Sequence, residues 1–322
     1  SSLSVNPTDG SCWVADGEAG EIVHLAEDGT EVLRIAGLLQ PISLSVNPTD
    51  GSCWAADALQ VAHFSQEGAL LWHMAALSSP TDVSVDPGDG SCWVADQVEV
   101  LRYDEYVGQL VHLGEDGTEL WRELGTTPLS LSVNESDGSC WVGHTSCSWW
   151  GTCEGLVRHL QADGTELWQG IQFDLPMSLS VNSSDGSCWV NDSRTPGSGS
   201  DRIVHLAEDG SELWLSEGLE RLTSLCVNST DGSCWVAADD LIHLAEDGSE
   251  LWRGTQFDYP SFVAANSGDG SCWVGDCNHV SGGEPCALGE IIHVAEDGTE
   301  LWRGRSFIWL SLIHISEPTR PY

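Results

Sequence analysis

Two reactive residue types recur along this chain at a common spacing. Cysteine, in the run D-G-S-C-W, returns at Cys12, Cys53, Cys92, Cys140, Cys188, Cys234 and Cys272. Histidine, in runs like I-V-H-L, returns at His24, His63, His112, His159, His205, His243 and His293. A thiolate is a nucleophile, and both side chains bind metals. A single reaction, however, needs one nucleophile and one base, and seven copies of D-G-S-C-W at intervals of 38 to 48 residues point to architecture before chemistry. Histidines held one per repeat stand too far apart to share an ion, and each is expected to bond within its own repeat. Neither G-x-S-x-G nor H-E-x-x-H occurs, so no catalytic residue and no metal ligand is assigned.

Composition removes further classes. Fifty acidic residues face 11 basic ones, all arginine, for a net charge of −39. Such a surface repels phosphate backbones and anionic headgroups, which excludes nucleic acid as a partner. The absence of lysine excludes Walker phosphate loops, pyridoxal Schiff bases and Ser-Lys hydrolases. No apolar run approaches the ~20 residues that cross a bilayer, so membrane insertion is not expected. The chain opens inside a repeat, which reads as a cut start, and targeting is not legible there. At the other end, Leu310 to Arg320 reads LSLIHISEPTR and resembles a directly translated sequencing adapter; residues 307–322 are set aside as a non-native tail.

Each repeat runs P-x-S-L-S-V-N, P-T-D-G, S-C-W-V-A-D, a variable stretch, I-V-H-L, A-E-D-G and T-E-L-W-R. Alternation in S-L-S-V predicts a half-buried strand, and N-P-T-D-G and A-E-D-G predict tight turns. Four short antiparallel strands per unit, repeated radially, predict an all-β fold: a seven-bladed β-propeller over 1–306. The blades fall at about 1–40, 41–79, 80–127, 128–175, 176–220, 221–259 and 260–306. With strands named a to d outward, Cys and Val of S-C-W-V point to one side of a blade and Trp to the other, between neighbours. Nearly uniform Asn at Asn6, Asn47, Asn134, Asn182, Asn228 and Asn266, with Asp86 in the third repeat, predicts Asx turns.

S-L-S-V-N-P-T-D-G-S-C-W-V-A-D followed by I-V-H-L-A-E-D-G-T-E-L resembles the NHL repeat, and A-E-D-G-T-E-L-W more weakly resembles the end of quinoprotein propeller repeats. The NHL resemblance implies a propeller that binds proteins, RNA or small molecules, and the acidity argues against RNA. A lactonase-like propeller would hold a metal at its channel mouth through unlike ligands from different blades.

Function in a symmetric scaffold belongs where symmetry breaks. Insertions QVEVLRYDEYVGQ, HTSCSWWGTCEG, SRTPGSGSDR and CNHVSGGEPCALGE interrupt repeats three, four, five and seven between strands b and c, all on one face. They carry the candidate ligand-binding residues Arg102, Tyr103, Tyr106, His144, Trp149, Trp150, Arg194 and His279. The pairs Cys147/Cys153 and Cys277/Cys286 are expected to form disulfides, which implies an extracellular, periplasmic or cell-surface setting. The expectation is a monomeric, non-catalytic scaffold that presents these loops to a protein or glycan, with no cofactor beyond calcium in acidic turns. The alternative is a small-molecule hydrolase with a metal at the central channel.

Overall fold

The computed structural model describes residues 2–99, 106–147, 153–193, 200–277 and 289–307. These form seven four-stranded antiparallel sheets, each built from consecutive strands in the order a-b-c-d. Blade one shows the plan: Ser2–Val5, Cys12–Asp16, Glu21–Leu25 and Glu31–Ala36. Blade seven repeats it with Pro260–Ala265, Cys272–Cys277, Gly289–Val294 and Glu300–Phe307. The inner strand of the first blade packs on that of the last, so the seven blades close a ring. The expected seven-bladed propeller is the observed fold. Among the described residues, no helix is long and apolar enough to cross a membrane.

Both turn types follow from their sequences. In N-P-T-D-G the Asn6 side chain accepts the Thr8 amide at 3.0 Å, and Asn47, Asn134, Asn182, Asn228, Asn266 and Asp86 each repeat that bond two residues on. In A-E-D-G the Gly29 amide returns to the Ala26 carbonyl at 2.8 Å, with φ of 79° at the glycine.

The core lies between blades, as seven separate clusters. Trp13, Ala15 and Ile22 of blade one meet Leu44, Val46, Cys53 and Ala55 of blade two. Trp273 and Ile291 of blade seven meet Leu3, Cys12 and Val14 of blade one in the same way. The strand b tryptophan therefore faces forward into the next blade, and the cysteine beside it faces back. Inner strands have a free edge toward the axis, where unpaired amides need acceptors. Serine supplies them: Ser4 Oγ accepts the Val46 amide, Ser45 that of Val85, Ser84 that of Val133 and Ser132 that of Val181, each at 3.0 Å.

At the rim, the strand d tryptophan lies over the glycine of the next blade's c–d turn. A Cβ on Gly298 would fall 2.0 Å from Trp252, and one on Gly29 2.0 Å from Trp302. Gly298→Ala is therefore expected to cost about 1–3 kcal/mol more than Gly37→Ala, since Gly37 has a similarly positive φ of 92° but nothing within 4 Å. Chemical denaturation of the two variants measures the difference; equal losses would assign the effect to φ alone.

Candidate functional site

The recurring reactive residues are consumed by packing. Strand pairing sets Trp13 opposite His24, and each later blade repeats the pair. The rings lie face to face or nearly so, with centroids 4.2 Å apart in blade six and 4.6 Å in blade five. In blades three to seven, His Nε2 meets the serine hydroxyl of D-G-S at 2.8 to 3.0 Å. That spacing matches a nucleophile and its base, yet each pair is buried. Desolvation holds all seven imidazoles below their ordinary pKa.

The expectation of bonding within one blade is met only in part. His112 Nδ1 reaches the Ala162 carbonyl at 2.9 Å, His159 that of Glu208 at 3.2 Å and His293 that of Glu27 at 3.1 Å, each in the following blade. No hydrogen bond reaches either ring nitrogen of His24 or His63. The seven repeated thiols are fully buried, and burial raises the pKa of every one. A thiol that does not ionise is neither nucleophile nor ligand.

Symmetry breaks at a few described positions. Along the axis, a cavity of about 200 Å³ is lined by Ser4, Ser45, Ser84, Ser132 and Ser180, with Cys226 in the serine position of blade six. One step along the same strands, Ser43, Ser130, Ser178 and Ser224 share a repeat position that Asp82 takes in blade three. Its carboxylate accepts the Ser43 hydroxyl at 2.6 Å, the Leu131 amide at 2.7 Å and the Val83 amide at 3.0 Å, which ties three blades together. Burial outweighs these bonds and pushes its pKa up to about 6. Sequence reading passed over Asp82, although a lone carboxylate in a serine position is a visible signal. Among the described residues, no group of three or more His, Cys, Asp or Glu side chains is placed to hold a metal ion.

The predicted site residues divide sharply. His144 sits inside strand Cys140–Cys147, buried, in the position that Asp57, Asp96, Asp192 and Asp276 hold in other blades. Those aspartates cap paired amides of the connection entering their own blade, such as Ser78 and Ser79 on Asp96 at 3.0 and 2.7 Å. His144 Nε2 has no partner, and burial with Arg158 nearby lowers its pKa to about 3. It therefore lies within the blade, beneath the insertion. Tyr106 begins strand Tyr106–Leu113, while Arg102, Tyr103, Trp149, Trp150, Arg194 and His279 lie outside the described residues.

Cys147 and Cys153 stand directly opposite across paired strands. Cys277 is not a free thiol; Cys286 lies outside the described residues, as does all of the tail beyond Phe307.

No family profile matches the sequence, and a search of curated proteins finds no match. Three solved structures similar to the chain are propellers. Hydrazine synthase of Kuenenia stuttgartiensis aligns with TM-score 0.66 and 10% identity over 85% of this chain and 91% of that one. Sqt1 of Saccharomyces cerevisiae aligns with 0.59 and 12% over 99% and 90%. A chain from a nidogen/laminin complex aligns with 0.53 and 15% over 79% and 97%. At these identities the likeness is one of fold.

Asp82 yields a pH prediction. Its folded pKa of about 6 lies above the ordinary 3.8, so the folded state binds the proton more tightly. The charged form weakens folding increasingly as pH rises from about 4 through 6. Asp82→Ser should therefore gain stability relative to the parent across that window and hold the gain above it. Urea titrations of both proteins at pH 4, 5, 6 and 7 test this; a flat difference would mean that Asp82 titrates normally.

Proposed function

We propose that the chain is a non-catalytic binding scaffold of NHL type, working outside the cytoplasm, whose b–c insertions grip a protein or glycan. One observation carries the reading: strands b and c lengthen only where the insertions arise. Blade two has five-residue strands, Cys53–Asp57 and Gln60–Phe64, whereas blade three has Cys92–Glu99 and Tyr106–Leu113, and blade four Cys140–Cys147 and Cys153–Leu160. Two adjacent hairpins thus rise three residues beyond the standard blade on the same face. The sequence joining their strands includes Tyr103, Trp149 and Trp150, aromatic residues of a type that gives large contact area at low entropy cost. A chain of similar fold belongs to a nidogen/laminin complex, a precedent for protein binding by such a disc. The metal-dependent hydrolase is the weaker reading, because Asp82 already has three hydrogen-bond donors and no described imidazole accompanies it.

Replacing Trp149 and Trp150 by Ala is expected to abolish capture in a screen of defined glycans and purified surface proteins while leaving the melting transition within about 2 °C. Unaltered capture, or a collapse of stability, would move the binding face elsewhere. The extracytoplasmic setting rests on disulfides Cys147–Cys153 and Cys277–Cys286. Alkylation under denaturing, nonreducing conditions should label eight of the 12 cysteines. Labelling of all 12 removes the argument for that location.

A further inference from the structure

A second surface lies at the rim, on the face of the a–b and c–d turns. Between blades six and seven a groove of about 740 Å³ is floored by Trp252 and flanked by Leu251 and Leu301, with Asp269, Glu296 and Asp297 along one wall. The two leucines are 56% and 54% exposed, and the three carboxylates are exposed as well. The nearby arginines are committed elsewhere, Arg253 to Glu250 and Asp240, Arg303 to Glu300 and Glu290. The inner wall includes His243, 1% exposed, whose Nδ1 makes no hydrogen bond although the Glu296 main chain is close by. An apolar, half-buried indole beside three uncompensated carboxylates is a poor surface to leave bare and a good one for a cation on an aliphatic stem.

The parts recur at the other junctions. Trp72, Trp214 and Trp302 lie against the turns bearing Glu115-Asp116, Glu246-Asp247 and Glu27-Asp28. Trp72 and Trp214 donate their indole N–H to the main-chain carbonyls of Glu115 and Glu246, at 2.8 and 2.9 Å, while Asp116 and Asp247 each accept the amide two residues on at 2.9 Å and keep their charge at the turn surface. Two junctions depart from this plan: blade one has Leu33 in the tryptophan position and faces Ser65-Gln66-Glu67-Gly68, and Trp121 faces Gln161-Ala162-Asp163-Gly164, which lacks the glutamate.

We propose that these grooves receive lysine or arginine side chains from a basic segment of a partner protein. The indole face attracts the cation, the carboxylates balance its charge and the leucines cover its stem. Repetition round the rim lets one extended basic chain occupy several grooves in turn, which strengthens weak single contacts. This surface is independent of the b–c loops.

The probe is a fluorescein-labelled deca-lysine peptide, followed by anisotropy at 100 mM NaCl. Replacing Trp72, Trp121, Trp168, Trp214, Trp252 and Trp302 by Leu, the residue blade one already carries, keeps the net charge at −39. That variant should bind about tenfold more weakly or worse. Should it fail to fold by its melting transition, two charge-matched pairs decide instead. Glu296→Gln with Asp297→Asn should weaken binding, whereas Glu220→Gln with Asp258→Asn, in the connections between blades on the opposite face, should not. Equal affinity in the folded tryptophan variant, or equal loss in the two pairs, would reduce the interaction to general charge attraction and overturn the proposal. Tryptophan-dependent binding of an uncharged maltoheptaose in place of the peptide would also overturn it. The variant with Trp149 and Trp150 replaced by Ala should bind the peptide normally, so the two proposed surfaces fail separately.

Discussion

Everything in this protein depends on filling a wedge. Flat sheets arranged round an axis diverge outward, and the gap between them must be packed or the disc opens. Here the strand b tryptophan fills it, stacked on the histidine of its own blade and pressed against the cysteine and valine of the next. No blade buries both of its faces alone, so stability belongs to the interfaces and not to the blades. Closure needs no shared strand, because the junction of blades seven and one repeats the contacts of the other six.

That constraint explains why so many reactive side chains give so little chemistry. A hydroxyl within 3 Å of an imidazole, repeated in blade after blade, would be a catalytic dyad in a cleft. Between packed blades it is a way of satisfying polar groups without water. The seven thiols are fully buried between blades, and desolvation keeps them protonated. Residues that depart from the repeat are the informative ones: Asp82 ionises at a cost, and His144 stands where aspartate would cap two amides.

Charge is arranged by face. Among the described residues, arginines lie mainly along the outer strands, where Arg34, Arg122, Arg253 and Arg303 each bridge a glutamate three residues earlier. Exposed pairs of this kind add little to stability, but they hold the cations away from the turns. The face of the a–b and c–d turns is left strongly negative, and a field of that sign attracts cations at long range.

The sequence by itself determined the blade number, the strand order, both turn types and the alternation that sends Cys and Trp to opposite sides. All of these are local: period-two patterns and Asn, Asp and Gly at fixed positions act over a few residues. It also marked, through broken repetition, where insertions leave the disc. Only the tertiary structure decided what each repeated residue touches across an interface. The bond from His293 to the Glu27 carbonyl joins positions 266 apart, and Trp302 meets Gly29 over a similar span. His144 read as part of an exposed insertion until strand register placed it inside the blade. Asp82 is visible in the sequence as a carboxylate in a serine position, but its raised pKa follows only from its neighbours in blades two and four, since the pKa of a carboxylate is set by the solvent it loses and the donors it gains. Neither quantity is a property of the residues adjacent in the chain.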